Sequence, residues 1–294
     1  MTTRTSAELS KRRRASNPFF ILKLLLIGNG YLGQEVARIF QGHDWNVTAV
    51  SLSGADGTIA ADVSDRAAMV ALAGEIGAPD LVVHCAASGR GGEEAYQRVY
   101  VDGCRNLTEV FSGVPLLFTS STSVYAQTDG SVVTESSPAK PERATGRLLL
   151  EAERITLDAG GIVARLAGIY GPGRSVILRK FLHGQAVIEE DGRRFLNQIH
   201  RDDAARAIFR LGSSGNHAGG IFNVSDLTPM AQVDCYRELA AIFEKPLPPS
   251  GPRDPDRKRG WTHKQVSSAK LEEAGWTPEF PSFLSAVRSI APTL

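Results

Sequence analysis

The sequence predicts an α/β fold, a doubly wound parallel sheet with a smaller C-terminal substrate lobe. Three observations carry this. A glycine turn, Gly28-Asn29-Gly30-Tyr31-Leu32-Gly33, lies between an apolar run and a segment of helical spacing. Strand-like and helix-like segments then alternate as far as Tyr170, the signature of β-α-β units with right-handed crossovers. The chain has 294 residues, 42% hydrophobic and 22% charged, enough to bury a sizeable core.

The apolar run 19–27 is the first strand, and 35–40 is the helix after the turn. Residues 45–52 and 58–60 read as the second and third strands, and 66–76 as a helix. A fourth strand, 80–85, follows Pro79 and ends in small residues. A long helix spans 96–111, a fifth strand 115–121, and a helix 142–159 stops at Gly160-Gly161. Residues 162–166 are a strand again. After Gly171 the pattern loosens into short helices at 202–211, 232–243, 267–274 and 282–290. A proline-rich loop at 246–252 and a charged stretch at 253–259 separate them. The expected organisation is a polar, disordered extension at 1–18, a dinucleotide-binding core at 19–170, and an interleaved lobe with C-terminal helices at 171–294.

Composition narrows the partners. There are 33 basic and 32 acidic residues, a net charge of +1, so nothing draws the chain to nucleic acid or to a membrane surface. Lys11-Arg12-Arg13-Arg14 precedes the first apolar run, as in a signal peptide. That run leads directly into the glycine turn, Lys23 interrupts it, and cleavage would remove the first strand. No run is long enough to span a membrane. Cys85, Cys104 and Cys235 are odd in number and widely spaced, so neither a disulfide framework nor a metal site is expected. A reducing cytoplasm fits best.

The glycine turn is where the chemistry is most legible. A strand, a turn with glycines at positions 28, 30 and 33, and a helix form the cradle of a dinucleotide pyrophosphate. The first glycine permits the tight turn, the second lets the backbone reach the phosphates, and the third lets helix and strand pack closely. Tyr31 and Leu32 complete the turn. Asp62 with Ser64 has the composition of a helix N-cap, and His200-Arg201-Asp202-Asp203 that of an acidic helix start.

Further strings mark the strand ends: Ala61-Asp62-Val63, Val83-His84-Cys85-Ala86-Ala87, Thr119-Ser120-Ser121-Thr122-Ser123-Val124-Tyr125, Arg165 to Arg174, and Ile199 to Ala204. In this order they resemble the extended short-chain dehydrogenase/reductase superfamily, the NAD(P)-dependent epimerase/dehydratase group, which has a Rossmann core. Thr145-Gly146-Arg147, the Ile-His-Arg-Asp-Asp string and Lys270-Leu271 with Gly275-Trp276 look most like its atypical YeeZ-like branch.

The resemblance implies roles. Asp62 and Val63 would meet the adenine, and Ala86, Ala87 and Ser88 the cofactor's ribose and phosphates. Ser121 aligns with the catalytic Ser/Thr that hydrogen-bonds a reacting hydroxyl or carbonyl. Gly168, Ile169 and Pro172 would lie near the nicotinamide, and Tyr170, Arg174 and His200 would face substrate. His84 reads as a buried strand residue. The partners implied are a small-molecule substrate and a second copy of the chain, a homodimer paired through helices 96–111 and 142–159.

One departure stands out. The superfamily places Tyr-x-x-x-Lys on the helix after the fifth strand, the tyrosine moving a proton and the lysine tuning it. Here Arg143 and Arg147 hold those positions. Arg147 can hold a ribose but, always protonated, it is no ordinary proton donor. Tyr125, Tyr170 and His200 are the candidates to replace it. The second strand ends in Ser51-Leu52-Ser53, without the acid that binds both ribose hydroxyls of NAD. Ser51 and Ser53 suit a phosphate, so NADP is favoured over NAD. The function expected is an NAD(P)-dependent oxidoreductase or epimerase/dehydratase-like enzyme acting on a hydroxyl or carbonyl compound. The alternatives are a non-catalytic NADP(H) sensor or scaffold, and a lyase or isomerase that uses the cofactor transiently.

Overall fold

A computed structural model describes residues 21–89, 91–253 and 261–294. The expected disordered extension at 1–18 and most of the charged stretch 253–259 lie outside the described residues. Seven strands form the main sheet: β1 (Lys23–Ile27), β2 (Asn46–Ser51), β3 (Ile59–Ala60), β4 (Leu81–His84), β5 (Leu116–Ser121), β6 (Ile162–Leu166) and β7 (Ile221–Val224). Their order is β7-β6-β5-β4-β1-β2-β3. β1 pairs in parallel with β2 and with β4, β2 with β3, and β4 with β5. Strand order therefore reverses between β1 and β4, the switch point where such sheets open a crevice at their carboxyl ends.

The central strands are almost wholly apolar because helices cover both faces. Leu24, Leu25, Leu26, Val82, Val83 and Leu117 are buried. The helices of this part are α1 (Gly33–Gln41), α2 (Arg66–Ile76), α3 (Glu93–Tyr96), α4 (Gly103–Val110) and α5 (Ala144–Asp158). Asp65 caps α2, its carboxylate accepting from the N–H groups of Ala67 (2.8 Å) and Ala68 (3.3 Å). α3 and α4 are joined without a break by a π-helical stretch, Gln97–Asp102. The continuous α-helix expected at 96–111 thus starts earlier and contains a change of register.

The chain divides into two compact units, each built from several segments. Among the described residues, the first holds 21–89, 91–121, 144–165 and 205–222, and the second holds 122–143, 166–204, 223–253 and 261–294. The second unit contains α6 (Val176–Leu182), in a stretch expected to be loop, and α8 (Gln232–Phe243), α9 (Ala269–Glu273) and α10 (Phe283–Ile290). α7 (Arg201–Ser214) starts in the second unit and ends in the first. Tyr170, Leu178, Phe181, Tyr236, Leu239 and Phe283 are at the heart of the second unit's core. Two corrections belong here. Residues 221–224, read as part of a loose region, form the edge strand β7, and the proline-rich loop contains Ser250–Gly251, which pairs with Ile188–Glu189.

Candidate functional site

In the first unit the glycine turn lies where the strand order demands. Ile27 and His84 are partners in the β1–β4 ladder, and Cys85 N–H donates to Ile27 O (2.7 Å). The ends of β1 and β4 therefore emerge side by side. Gly28 has φ +96°, and a Cβ there would lie 2.4 Å from Ala86 N. A Cβ on Gly33 would lie 1.9 Å from Gly28 O. Backbone closes both positions, so only glycine fits. Gly30 is different: it is exposed, with nothing within 4 Å of its Cβ position. Open space over the middle glycine, backed by a helix start, is the cradle a pyrophosphate fills. Within the turn the buried Asn29 Oδ1 has no partner among the described residues. These features fit a dinucleotide.

The other first-unit candidates lie around this edge. Ala86, Ala87 and Ser88 follow β4 as irregular backbone, with Ala87 exposed. Ser88 N–H donates to the Tyr100 hydroxyl (3.2 Å). Ser121, half-buried, ends β5. Arg147 is exposed on α5, which packs along β5. Ser51 is already committed: its hydroxyl lies 2.7 Å from Thr58 Oγ1 and accepts from Gly54 N–H (3.0 Å), closing the β2–β3 turn. Ser53 is exposed and accepts a long bond from Ala55 N–H (3.4 Å).

Asp62 is the centre of a small network. Its carboxylate accepts from Ser64 N–H (2.9 Å) and Ser64 Oγ (2.7 Å), and pairs with Arg98 (2.7 Å). Burial opposes ionisation there, but these partners together hold its pKa below the usual value. The α2 cap that the sequence suggested for Asp62 falls instead to Asp65. Val63 is buried, its methyls packed where a Cβ on Gly103 would sit.

In the second unit Gly168, Ile169 and Tyr170 pair in parallel with Gln198, Ile199 and His200. Gly168 and Ile169 are half-buried, and Arg174 is exposed on a tight turn in which its N–H donates to Gly171 O (3.0 Å). The three expected replacements for the missing proton donor are enclosed rather than presented. Tyr125 is fully buried, its hydroxyl donating to Asn223 Oδ1 (2.9 Å). Tyr170 is 1% exposed and donates to Ser282 O (3.4 Å), and burial, then Asp226 and Asp203, raise its pKa. His200 is 2% exposed, with its ring 4.0 Å from Phe280 and edge-on to Tyr170 at 5.2 Å. Burial lowers its pKa, so it is a neutral ring in an aromatic stack. Tyr170 and His200, expected to face substrate, are thus both buried.

Three residues escaped the sequence reading. Asn223 joins the Tyr125 hydroxyl to Ser267 O through its amide (3.1 Å to the carbonyl). Lys264 is buried and donates to Tyr125 O (2.6 Å) and Thr262 Oγ1 (3.1 Å), so the segment following Ser121 is held from within the second unit. Burial, then Arg194, lower its pKa to about 8. Tyr100 is the third, and the Tyr96–Tyr100 spacing was its only signal. Among the described residues no group of three or more His, Cys, Asp or Glu side chains could hold a metal ion. No described helix is long and apolar enough to cross a membrane.

Comparisons with known proteins place the family and the fold. Residues 24–225 match the model of the NAD dependent epimerase/dehydratase family. Protein YeeZ of Escherichia coli (strain K12) is 28% identical over 244 residues, covering 75% of this chain and 84% of that protein. A solved structure from Methylobacillus flagellatus, assigned to the NAD-dependent epimerases/dehydratases, is 28% identical with a TM-score of 0.77, covering 93% of this chain and 98% of that one. MoeE5, solved in complex with UDP-glucose and NAD, has a TM-score of 0.77 at 20% identity, covering 92% of this chain and 97% of its own, a likeness of fold.

Proposed function

The chain belongs to the NAD dependent epimerase/dehydratase family, and from that premise we propose that it is an NAD(P)-dependent oxidoreductase or epimerase/dehydratase-like enzyme. Its substrate class is a small molecule with a hydroxyl or carbonyl group. The observation that carries this is the contrast within the glycine turn: Gly28 and Gly33 are closed by backbone while Gly30 opens on empty space. A nicotinamide dinucleotide held there supplies hydride transfer. The turn receives its pyrophosphate, and Ala86 to Ser88 run along its ribose and phosphates. Ser121 orients the reacting oxygen by a hydrogen bond, and Arg147 holds the nicotinamide ribose. Sugar nucleotides are a first class to screen, since MoeE5 was solved with UDP-glucose. We also propose a homodimer and a preference for NADP: no acid ends β2, and Ser53 can donate its hydroxyl to a phosphate.

A second reading, a dinucleotide-binding sensor without turnover, is favoured by two observations. Tyr-x-x-x-Lys is absent, and Tyr125 and Tyr170 are buried. Cofactor-linked absorbance changes with hydroxyl and carbonyl compounds separate the two.

The deciding experiment is calorimetry with NADPH and NADH on the wild type and Gly30→Asp. We expect binding that is tighter for NADPH and lost in the variant, where a carboxylate faces the phosphates. Absence of binding by either nucleotide would overturn the proposal, and tighter binding of NADH would overturn the NADP preference.

A further inference from the structure

We propose that Tyr100, set in its place by His84 through the π-helical turn, is a positioning residue that fixes Ser88 at the edge of the dinucleotide cradle. This rests on the reading of Ala86–Ser88 as cofactor-lining.

The π stretch frees a carbonyl. At its end Gly103 N–H reaches back to Arg98 O, five residues away, and to Tyr100 O, passing over Val99 O. In an α-helix Val99 O would be the partner of that N–H. Instead, His84 Nε2 lies 2.9 Å from Val99 O. A carbonyl only accepts, so Nε2 carries the proton and Nδ1 does not. His84 is wholly buried at the end of β4, and its Nδ1 has no partner among the described residues. A buried, half-satisfied imidazole is costly and calls for a reason. Burial also pushes its pKa down to about 4, which keeps it neutral and preserves this tautomer. Gly103 makes room for it, since a Cβ there would stand 3.1 Å from His84 Nε2.

The reason lies one residue beyond the captured carbonyl. An inserted residue in a helix rotates the side chains that follow, which is why π turns recur where a side chain must be re-aimed. Tyr100 sits in this turn with its ring 5.9 Å from Phe118 of β5 and edge-on to Tyr96 at 5.0 Å. Its hydroxyl accepts from Ser88 N–H (3.2 Å). Ser88 lies in irregular backbone after β4, so no ladder holds that N–H. The Ser88 N–H occupies one lone pair of the phenol and leaves the phenolic proton to donate. The sequence His84 to Val99 O to Tyr100 to Ser88 N–H therefore ties the π turn to the cradle, entirely within the first unit.

The test uses the full chain with three variants: Tyr100→Phe, His84→Gln and His84→Leu. The readouts are hydrogen exchange at the Ser88 amide, calorimetric affinity for NADH and NADPH, and melting temperature. Tyr100→Phe should speed exchange at Ser88 at least severalfold and weaken nucleotide binding about 3- to 10-fold, the loss of one hydrogen bond. Its melting temperature should change little. His84→Gln, which keeps a donor, should retain more affinity than His84→Leu. Unchanged Ser88 exchange in Tyr100→Phe would overturn the inference. So would unchanged affinity in that variant when the wild type binds nucleotide and Gly30→Asp does not. If the wild type binds neither nucleotide, the functional reading falls and takes the cradle role with it, whatever the exchange shows.

Discussion

Asp226 receives two backbone N–H groups, from Thr228 and Phe283, while its buried Oδ1 has no partner among the described residues. Burial is the chief reason its pKa is raised to about 8, with Asp203 adding repulsion against the two donors. The ordinary value is 3.8. Between these pH values the folded chain holds a proton that the unfolded chain has released. Its contribution to stability is therefore complete at low pH and is lost as pH rises toward 8. Asp226→Asn imitates the protonated acid. Relative to wild type it should gain on the order of 1.4 kcal/mol for each pH unit crossed in that window. Urea denaturation at pH 5 and pH 8 measures this, and parallel losses in the two proteins would refute it. No sequence pattern marked Asp226, because burial and an orphaned oxygen are products of the folded chain. Gly28 and Gly33 were legible because the need for glycine is local, set by a tight turn and the strand beside it. Tyr125, Tyr170 and His200 were read by residue chemistry alone, which carries no signal of the burial all three have in the folded chain.

α5, β5 and β6 are joined by one buried ionic cluster. Glu153 of α5 accepts from Ser120 Oγ of β5 (2.6 Å) and from Arg165 of β6 at both guanidinium positions (Nε 3.0 Å, Nη2 2.6 Å). Both charged side chains are at most 5% exposed. Removing one partner strands the other charge in the core, so Glu153→Ala should cost about 3–5 kcal/mol in urea denaturation. A loss near that of an exposed ion pair, about 0–1 kcal/mol, would show that the cluster does not hold the elements together. Helices with several turns of apolar periodicity were readable from the sequence: α2 and α8 begin and end where expected. Two short elements in the looser second half were not. α6 has 7 residues and β7 has 4, too few for a period to emerge from composition. The π register leaves no mark in hydrophobic spacing, and the histidine that meets its Val99 carbonyl lies on another element, β4.

The doubly wound sheet was legible because sustained alternation of strand and helix from β1 to β6 admits few topologies. The division into units was less so: the chain passes between them five times, after β5, at the start of α5, before the last residue of β6, within α7 and within β7. At this scale the proposed homodimer predicts a sedimentation mass near twice the 31.6 kDa of one chain at micromolar concentration. A single-chain mass would contradict it. The placement of β7 also has a consequence for birth on the ribosome. β6 is complete at Leu166, but the strand that covers its outer edge starts only at Ile221. At about 5–20 residues per second, translation leaves that edge open for roughly 3–11 s. During this interval the nascent sheet exposes unpaired N–H and C=O groups to neighbouring chains. Ribosome-associated chaperones should therefore engage this polypeptide most strongly while residues 167–220 are being made, and slow codons in that stretch should lower the yield of soluble protein.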